Sequence, residues 1–174
     1  MDTTFFTRLS GILFLFFNIA IPGSSLAQNS DTPLYVGGME ITWHHSQDTI
    51  TFTASAPDDG WIALGFHTEN TIVGSNLIMI GVKGTVVTSE DFYVIGAGNP
   101  RPVDRLRSRN QIRNPSGHED AHSTTVTFSI PTKALDKYHK NLAKGKKIWL
   151  ICAYSMEDEF DHHSRMRKHV QVTL

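Results

Sequence analysis

Apolar and polar residues alternate with a period of two over much of this chain. In Thr49-Ile-Thr-Phe-Thr53, Ile50 and Phe52 fall on one side and the threonines on the other, the pattern of a half-buried strand. Glu40 to His45 and Ser123 to Ile130 alternate in the same way, the second grouping Val126, Phe128 and Ile130. Trp61 to Phe66 and Leu77 to Val82 differ. They are nearly continuous apolar runs, as expected for strands covered on both faces. Thr85 to Ile95, Lys147 to Met156 and His169 to Leu174 complete the extended segments. Gln47-Asp48, Ala56-Pro-Asp-Asp-Gly60 and Lys83-Gly84 supply turns between them.

Only Thr132 to Leu142 reads as helical. Thr132 is a capping residue, and Ala134, Leu135, Tyr138 and Leu142 lie at helical spacing. Gly96 to Asp120 reads as one long irregular loop, interrupted by Asn99-Pro-Arg-Pro102 and Asn114-Pro-Ser-Gly117. The sum is an all-β chain: an antiparallel β-sandwich of about eight to eleven strands, immunoglobulin-like, with one short helix.

The N-terminus changes the picture. Arg8, the apolar run Leu9 to Ile21 and the small-x-small sequence Ser25-Leu26-Ala27 predict a secretory signal over residues 1–27. Asn18 and Pro22 break that run short of the about 20 apolar residues a membrane span needs. The expectation is one mature domain, residues 28–174, in a periplasm or outside the cell, with no stable membrane insertion. Charge is balanced, 16 basic against 17 acidic side chains. That argues against a nucleic-acid partner, although Arg101, Arg105, Arg107, Arg109 and Arg113 cluster locally. Cys152 is the one cysteine, so no intrachain disulfide forms, and its apolar surroundings predict a packing role.

Candidate chemistry concentrates late in the chain. Asp161-His-His-Ser-Arg165 lies between two strand-like runs, and a loop there presents imidazoles, the commonest protein metal ligands. His118 and His122 sit four apart but follow Pro115, Ser116 and Gly117, which argue for a loop. A nucleophile elbow, a His-Glu-x-x-His helix and a phosphate loop are all missing from the sequence, so no enzymatic activity is expected.

Four segments, in order, resemble the DOMON domain family. They are Gly60-Trp-Ile-Ala-Leu-Gly-Phe66, Val73-Gly-Ser-Asn-Leu-Ile-Met-Ile80, the run Val87 to Val103 containing Asp91 and Gly98-Asn-Pro-Arg-Pro102, and Ile148-Trp-Leu-Ile-Cys-Ala-Tyr154 followed by His162, His163 and Arg165. The resemblance implies a non-catalytic, extracytoplasmic ligand-binding module. Family members are associated with b-type haem and electron transfer to a redox partner, or are suspected of binding sugars. In the haem-binding members the iron lies between a methionine and a histidine. Here His163 matches the histidine, with His162 beside it, while Ile72 occupies the methionine position. Haem held by His163 alone, a sixth ligand from His67 or Met79, and a ligand other than haem all remain open. Arg165 and Arg101 are candidates for haem propionates or an anionic sugar. Trp43 and Trp61 are candidates for stacking on a glycan. The resemblance also implies a structural cation such as calcium, with Asn76 and Asp91 at the matching positions.

Overall fold

The computed structural model describes residues 32–174, so the expected signal segment 1–27 lies outside the described residues. Eleven strands follow in order: β1 Leu34–Val36, β2 Met39–Ser46, β3 Thr49–Ala56, β4 Ile62–His67, β5 Asn76–Lys83, β6 Val86–Gly96, β7 Asn99–Pro102, β8 Arg113–Asp120, β9 Ser123–Pro131, β10 Lys147–Tyr154 and β11 Met166–Thr173. They form two antiparallel sheets, β1-β2-β3-β9-β8 and β11-β10-β4-β5-β6-β7. The expected sandwich is present.

Alternation decides which residues face inward. Ile41, Trp43, Ile50, Phe52, Ala54, Val126, Phe128 and Ile130 of the five-stranded sheet meet Ile62, Leu64, Phe66, Ile78, Ile80, Leu150 and Cys152 of the other. Phe52 sits at the centre, its ring 5.1 Å from that of Phe66 across the interface and 5.7 Å from that of Phe128 beside it. Cys152 is fully buried in this layer, and burial pushes its thiol up to about 12, consistent with packing rather than reactivity.

Gln47-Asp48 closes a two-residue hairpin between Ser46 and Thr49, with Gln47 at φ 53°. The sharp reversal fixes the β2–β3 register that turns Ile50 and Phe52 inward.

Two sequence expectations are corrected. Thr132–Leu142 is not a helix but a chain of turns and bends. Asp136 explains why: its Oδ1 accepts the Tyr138 N–H at 2.9 Å, and its carbonyl accepts the His139 N–H. A side chain that captures nearby backbone donors competes with helical bonds. The helical turn that does form among the described residues is a single 3₁₀ turn, Val103–Leu106. Gly96–Asp120 is not one loop either, since it contains β7 and β8. Both are edge strands, exposed enough that no apolar alternation marks them. β1, a third edge strand, carries no such alternation either.

Candidate functional site

The doubly apolar runs β4 and β5 have a physical consequence. Their even-numbered side chains enter the core between the sheets, so the odd-numbered ones form an apolar floor on the outer face of the six-stranded sheet. Trp61, Ala63, Leu77, Met79, Phe92, Val94 and Ala153 make up that second cluster, with Ile72 and Phe160 packed against it. No helix layer covers it among the described residues. A cavity of about 480 Å³ lies there instead, roofed by Phe160, Asp161, His162, His163 and Ser164 and bordered by Ile72, Gly98, Pro100 and Arg167. A volume and a lining of this kind are typical of small-molecule and cofactor sites.

The roof is the β10–β11 connection, and its base is pinned. Ser155 N–H donates to the Trp61 carbonyl at 3.0 Å, Trp61 N–H to the Glu157 carbonyl at 3.1 Å, and Arg165 N–H to the Tyr154 carbonyl at 2.8 Å. The Ser155 hydroxyl donates to the His163 carbonyl at 3.3 Å and accepts the Glu157 N–H at 3.1 Å. Gly60 allows this close passage, because a Cβ there would stand 2.5 Å from the Glu157 nitrogen. The roof therefore folds back over the floor from the end where Tyr154 pairs with Ile62.

Ile72 approaches from the opposite end. It lies in the β4–β5 connection, beyond the point where His67 pairs with Trp149. Its carbonyl accepts both the Ser75 N–H at 3.0 Å and the Ser75 hydroxyl at 2.7 Å. Gly74 and Ser75 are stitched to Val94 by backbone bonds of 2.7 and 3.1 Å. The two positions matched to the iron ligands thus border one cavity from facing ends.

The other expected residues are placed as follows. His162 and His163 are both exposed at the cavity, and Glu159 and Asp161 carboxylates lie 3.9 and 3.6 Å from His162 Nδ1. No side-chain bond engages the His163 ring among the described residues. Arg165 turns away and pairs with Asp58 at 2.8 Å, while Arg101 is exposed on β7 and does not border the cavity. The arginine that does is Arg167, which the sequence reading missed. Its place on β11, opposite Ala153, turns it to the outer face. His67 is buried outside the cavity: its Nδ1 accepts the Glu69 N–H at 2.7 Å, leaving the proton on Nε2. Burial, with the nearby Lys140 charge, lowers its pKa. Trp43 lies in the core between the sheets and presents no open face, whereas Trp61 lines the cavity floor.

Asn76 and Asp91 do meet, in a buried polar network at the rim of the core. Asn76 Nδ2 donates to Asp91 Oδ1 at 2.6 Å and to the Phe92 carbonyl at 3.1 Å. The other Asp91 oxygen accepts the Gln111 N–H at 2.9 Å and faces His139 Nε2 at 3.3 Å. His139 Nδ1 lies 2.9 Å from Asp136, which also accepts the Ser108 hydroxyl. Burial opposes charging His139, but hydrogen bonds to Asp91 and then Asp136, together with their charges, raise its pKa. An imidazolium donates from both ring nitrogens, so it satisfies two carboxylates where a neutral ring satisfies one. His139 was not singled out from sequence; Asp136 and His139 three residues apart beside a buried Asp are the available signal. Among the described residues, no group of three or more His, Cys, Asp or Glu side chains is arranged to hold a metal ion.

Comparison with known proteins places this architecture. The cytochrome b domain of pyranose dehydrogenase from Coprinopsis cinerea superimposes with a TM-score of 0.60 at 8% identity, covering 78% of this chain and 75% of that one. The cytochrome domain of Myriococcum thermophilum cellobiose dehydrogenase gives 0.54 at 11% identity, covering 83% and 79%. At these identities the likeness is one of fold. In sequence, DBH-like monooxygenase protein 2 of Mus musculus is 28% identical over 120 residues, 66% of this chain but only 18% of that protein. The DOMON domain profile matches residues 36–155, from β1 to the pinned base of the roof. That match takes in β2 to β10 and the Trp61, Ala63, Leu77, Met79, Phe92, Val94 and Ala153 floor, and the chain belongs to the DOMON domain family.

Proposed function

We propose that this domain binds b-type haem in the outer-face cavity, with His163 as the iron ligand. One observation carries the reading: an apolar cavity of about 480 Å³ whose imidazoles all come from the His162-His163 roof. A flat apolar macrocycle matches the floor of Trp61, Leu77, Met79 and Phe92, and Arg167 at the border suits a propionate. When bound, haem supplies redox chemistry at iron; the protein sets axial ligation, burial and access. His163 is favoured over His162 because its ring is unengaged, whereas two carboxylates draw on His162. Electron exchange with a partner protein follows from an exposed roof that brings the ligand close to the surface. The carbohydrate alternative loses Trp43, which is buried between the sheets, and keeps only Trp61 on the cavity floor as an aromatic platform.

The test is an absorption titration of the purified protein with haem. A sharp Soret band is expected, lost in His163→Ala and retained in His162→Ala. Ala63→Leu, which fills the floor, weakens uptake while leaving the fold intact. A flat titration of the native protein removes haem from the reading.

A further inference from the structure

We propose that a second cavity, at the end of the sandwich opposite the base of the histidine roof, binds a small organic dicarboxylate. This site is independent of haem binding. The cavity has a volume of about 610 Å³ and lies between two short walls, 109–113 and 131–135. Pro131 pairs with Thr49 at the far end of β3 from Ala56, whereas the roof rises where β4 begins at Ile62.

Local backbone geometry builds the first wall. After the 3₁₀ turn Val103–Leu106, Arg107 is left-handed at φ 63°. The N–H groups of Arg107 and Ser108 close that turn by donating to the Asp104 and Val103 carbonyls at 3.1 and 3.0 Å. Asn114, at φ 49°, bends the chain again just past Arg113. Non-glycine residues keep such conformations only where their surroundings enforce them. Between the two bends, Gln111 N–H donates to buried Asp91 at 2.9 Å and Ile112 N–H to the Asn110 side chain at 2.8 Å. On the facing wall, Thr132 N–H donates to the Asp48 carbonyl at 2.8 Å, and the Thr132 carbonyl accepts the Leu142 N–H at 2.7 Å. The walls run antiparallel and meet at both ends, where the Ser108 hydroxyl donates to Asp136 and Arg113 pairs with Ser129. A gap closed at both ends gives a continuous polymer no path along it, and its volume suits a small molecule.

Charge then selects the ligand. Arg109 and Arg113 come from one wall and Lys133 from the other, and no carboxylate lines the cavity. All three are exposed, and none joins an ion pair among the described residues. The acid next to the lining, Asp136, is taken up by Ser108, the Tyr138 N–H and His139. Three cations without an internal partner, on a chain that is nearly neutral overall, attract an anion of more than one charge. Two of them are guanidinium groups, whose forks match carboxylates. The remaining lining includes Ile112, Pro131, Ala134 and the exposed Leu135, an apolar bed that an inorganic anion would leave uncovered. A short aliphatic chain with a carboxylate at each end satisfies both parts.

The test is equilibrium dialysis of the purified full chain, free of haem, against labelled adipate. Saturable binding at millimolar concentration is expected, weakening as salt is raised. Unlabelled adipate should displace the label, while dimethyl adipate, which has the same body without the charge, should not. Arg109→Gln and Arg113→Gln are each expected to weaken binding about tenfold, the worth of one charged hydrogen-bonded contact. Leu135→Asp, which sets a carboxylate among the cations, is expected to abolish it. All three side chains are exposed, so thermal unfolding of the variants should match that of the native protein. No uptake of adipate at tens of millimolar, or full affinity in the double variant Arg109→Gln/Arg113→Gln, overturns the proposal. Tighter binding of a glutamate oligopeptide than of adipate, lost in the same variants, also overturns it and makes the site a dock for an acidic protein segment.

Discussion

The two sheets differ most in what lies on their outer faces. On the five-stranded sheet, Thr51 meets Ser129 at 2.7 Å, Thr53 meets Thr127 at 3.0 Å and Thr125 donates to Ser55 at 3.0 Å. That is a hydroxyl ladder, content with water. On the six-stranded sheet the equivalent face is apolar and needs a cover. The protein supplies only a partial one, a pinned roof with imidazoles at its edge. An apolar face left half-covered on an otherwise alternating sandwich is where a ligand is expected.

The largest effect separates the shared core from either outer face. Phe52→Ala opens the centre of the sandwich and is expected to cost about 4 kcal/mol in chemical denaturation, with both sheets lost together. A cost below about 1 kcal/mol would mean that the sheets are held by something other than this interface.

The next effect tests how the rim of the six-stranded sheet is held. His139→Ala leaves Asp91, which is fully buried, without its facing cation, at an expected cost of about 3 kcal/mol. The sign of the pH dependence follows from the raised pKa of His139. Its stabilisation is complete below about 6.5, the ordinary histidine value, and is lost as pH rises through the higher folded value. Asp136 works the other way, since bonds from Ser108, His139 and the Tyr138 N–H outweigh burial and lower its pKa, so its share disappears only in acid. Denaturation midpoints measured across pH should fall as pH rises above about 6.5 in the native protein. His139→Gln should flatten that fall, and an unchanged slope would remove His139 as its source.

The smallest effect belongs to the hydroxyl ladder. Replacing Thr53 and Thr127 together by Val removes both partners at once from a surface already suited to strands. The expected change is under about 1 kcal/mol, with haem uptake unaffected. A large loss there would erase the contrast between the two outer faces.

Much of the sandwich was legible because β2, β3 and β9 alternate cleanly and β4 and β5 do not. The failure of β4 and β5 to alternate was itself the trace of the second apolar face, and it pointed to the cavity floor. Edge strands escaped notice because β7 and β8 present few buried positions and carry prolines, which an edge tolerates. Thr132–Leu142 misled for a different reason: its apolar spacing suits a helix, but Asp136 spends its carboxylate on the local backbone and on His139. The histidine pair was visible as chemistry in a loop. That Arg165 would be drawn off to Asp58, leaving Arg167 at the cavity, depends on contacts 107 residues apart and had no local signature.

Cys152 gives this molecule an internal clock. Its sulfur lies between the sheets, on the opposite side of β10 from the cavity floor, and movements of the roof do not uncover it. An alkylating reagent reaches it only when the two layers part. The labelling rate therefore counts separations of the sandwich itself, and a ligand that binds the folded form slows that count in proportion to its occupancy.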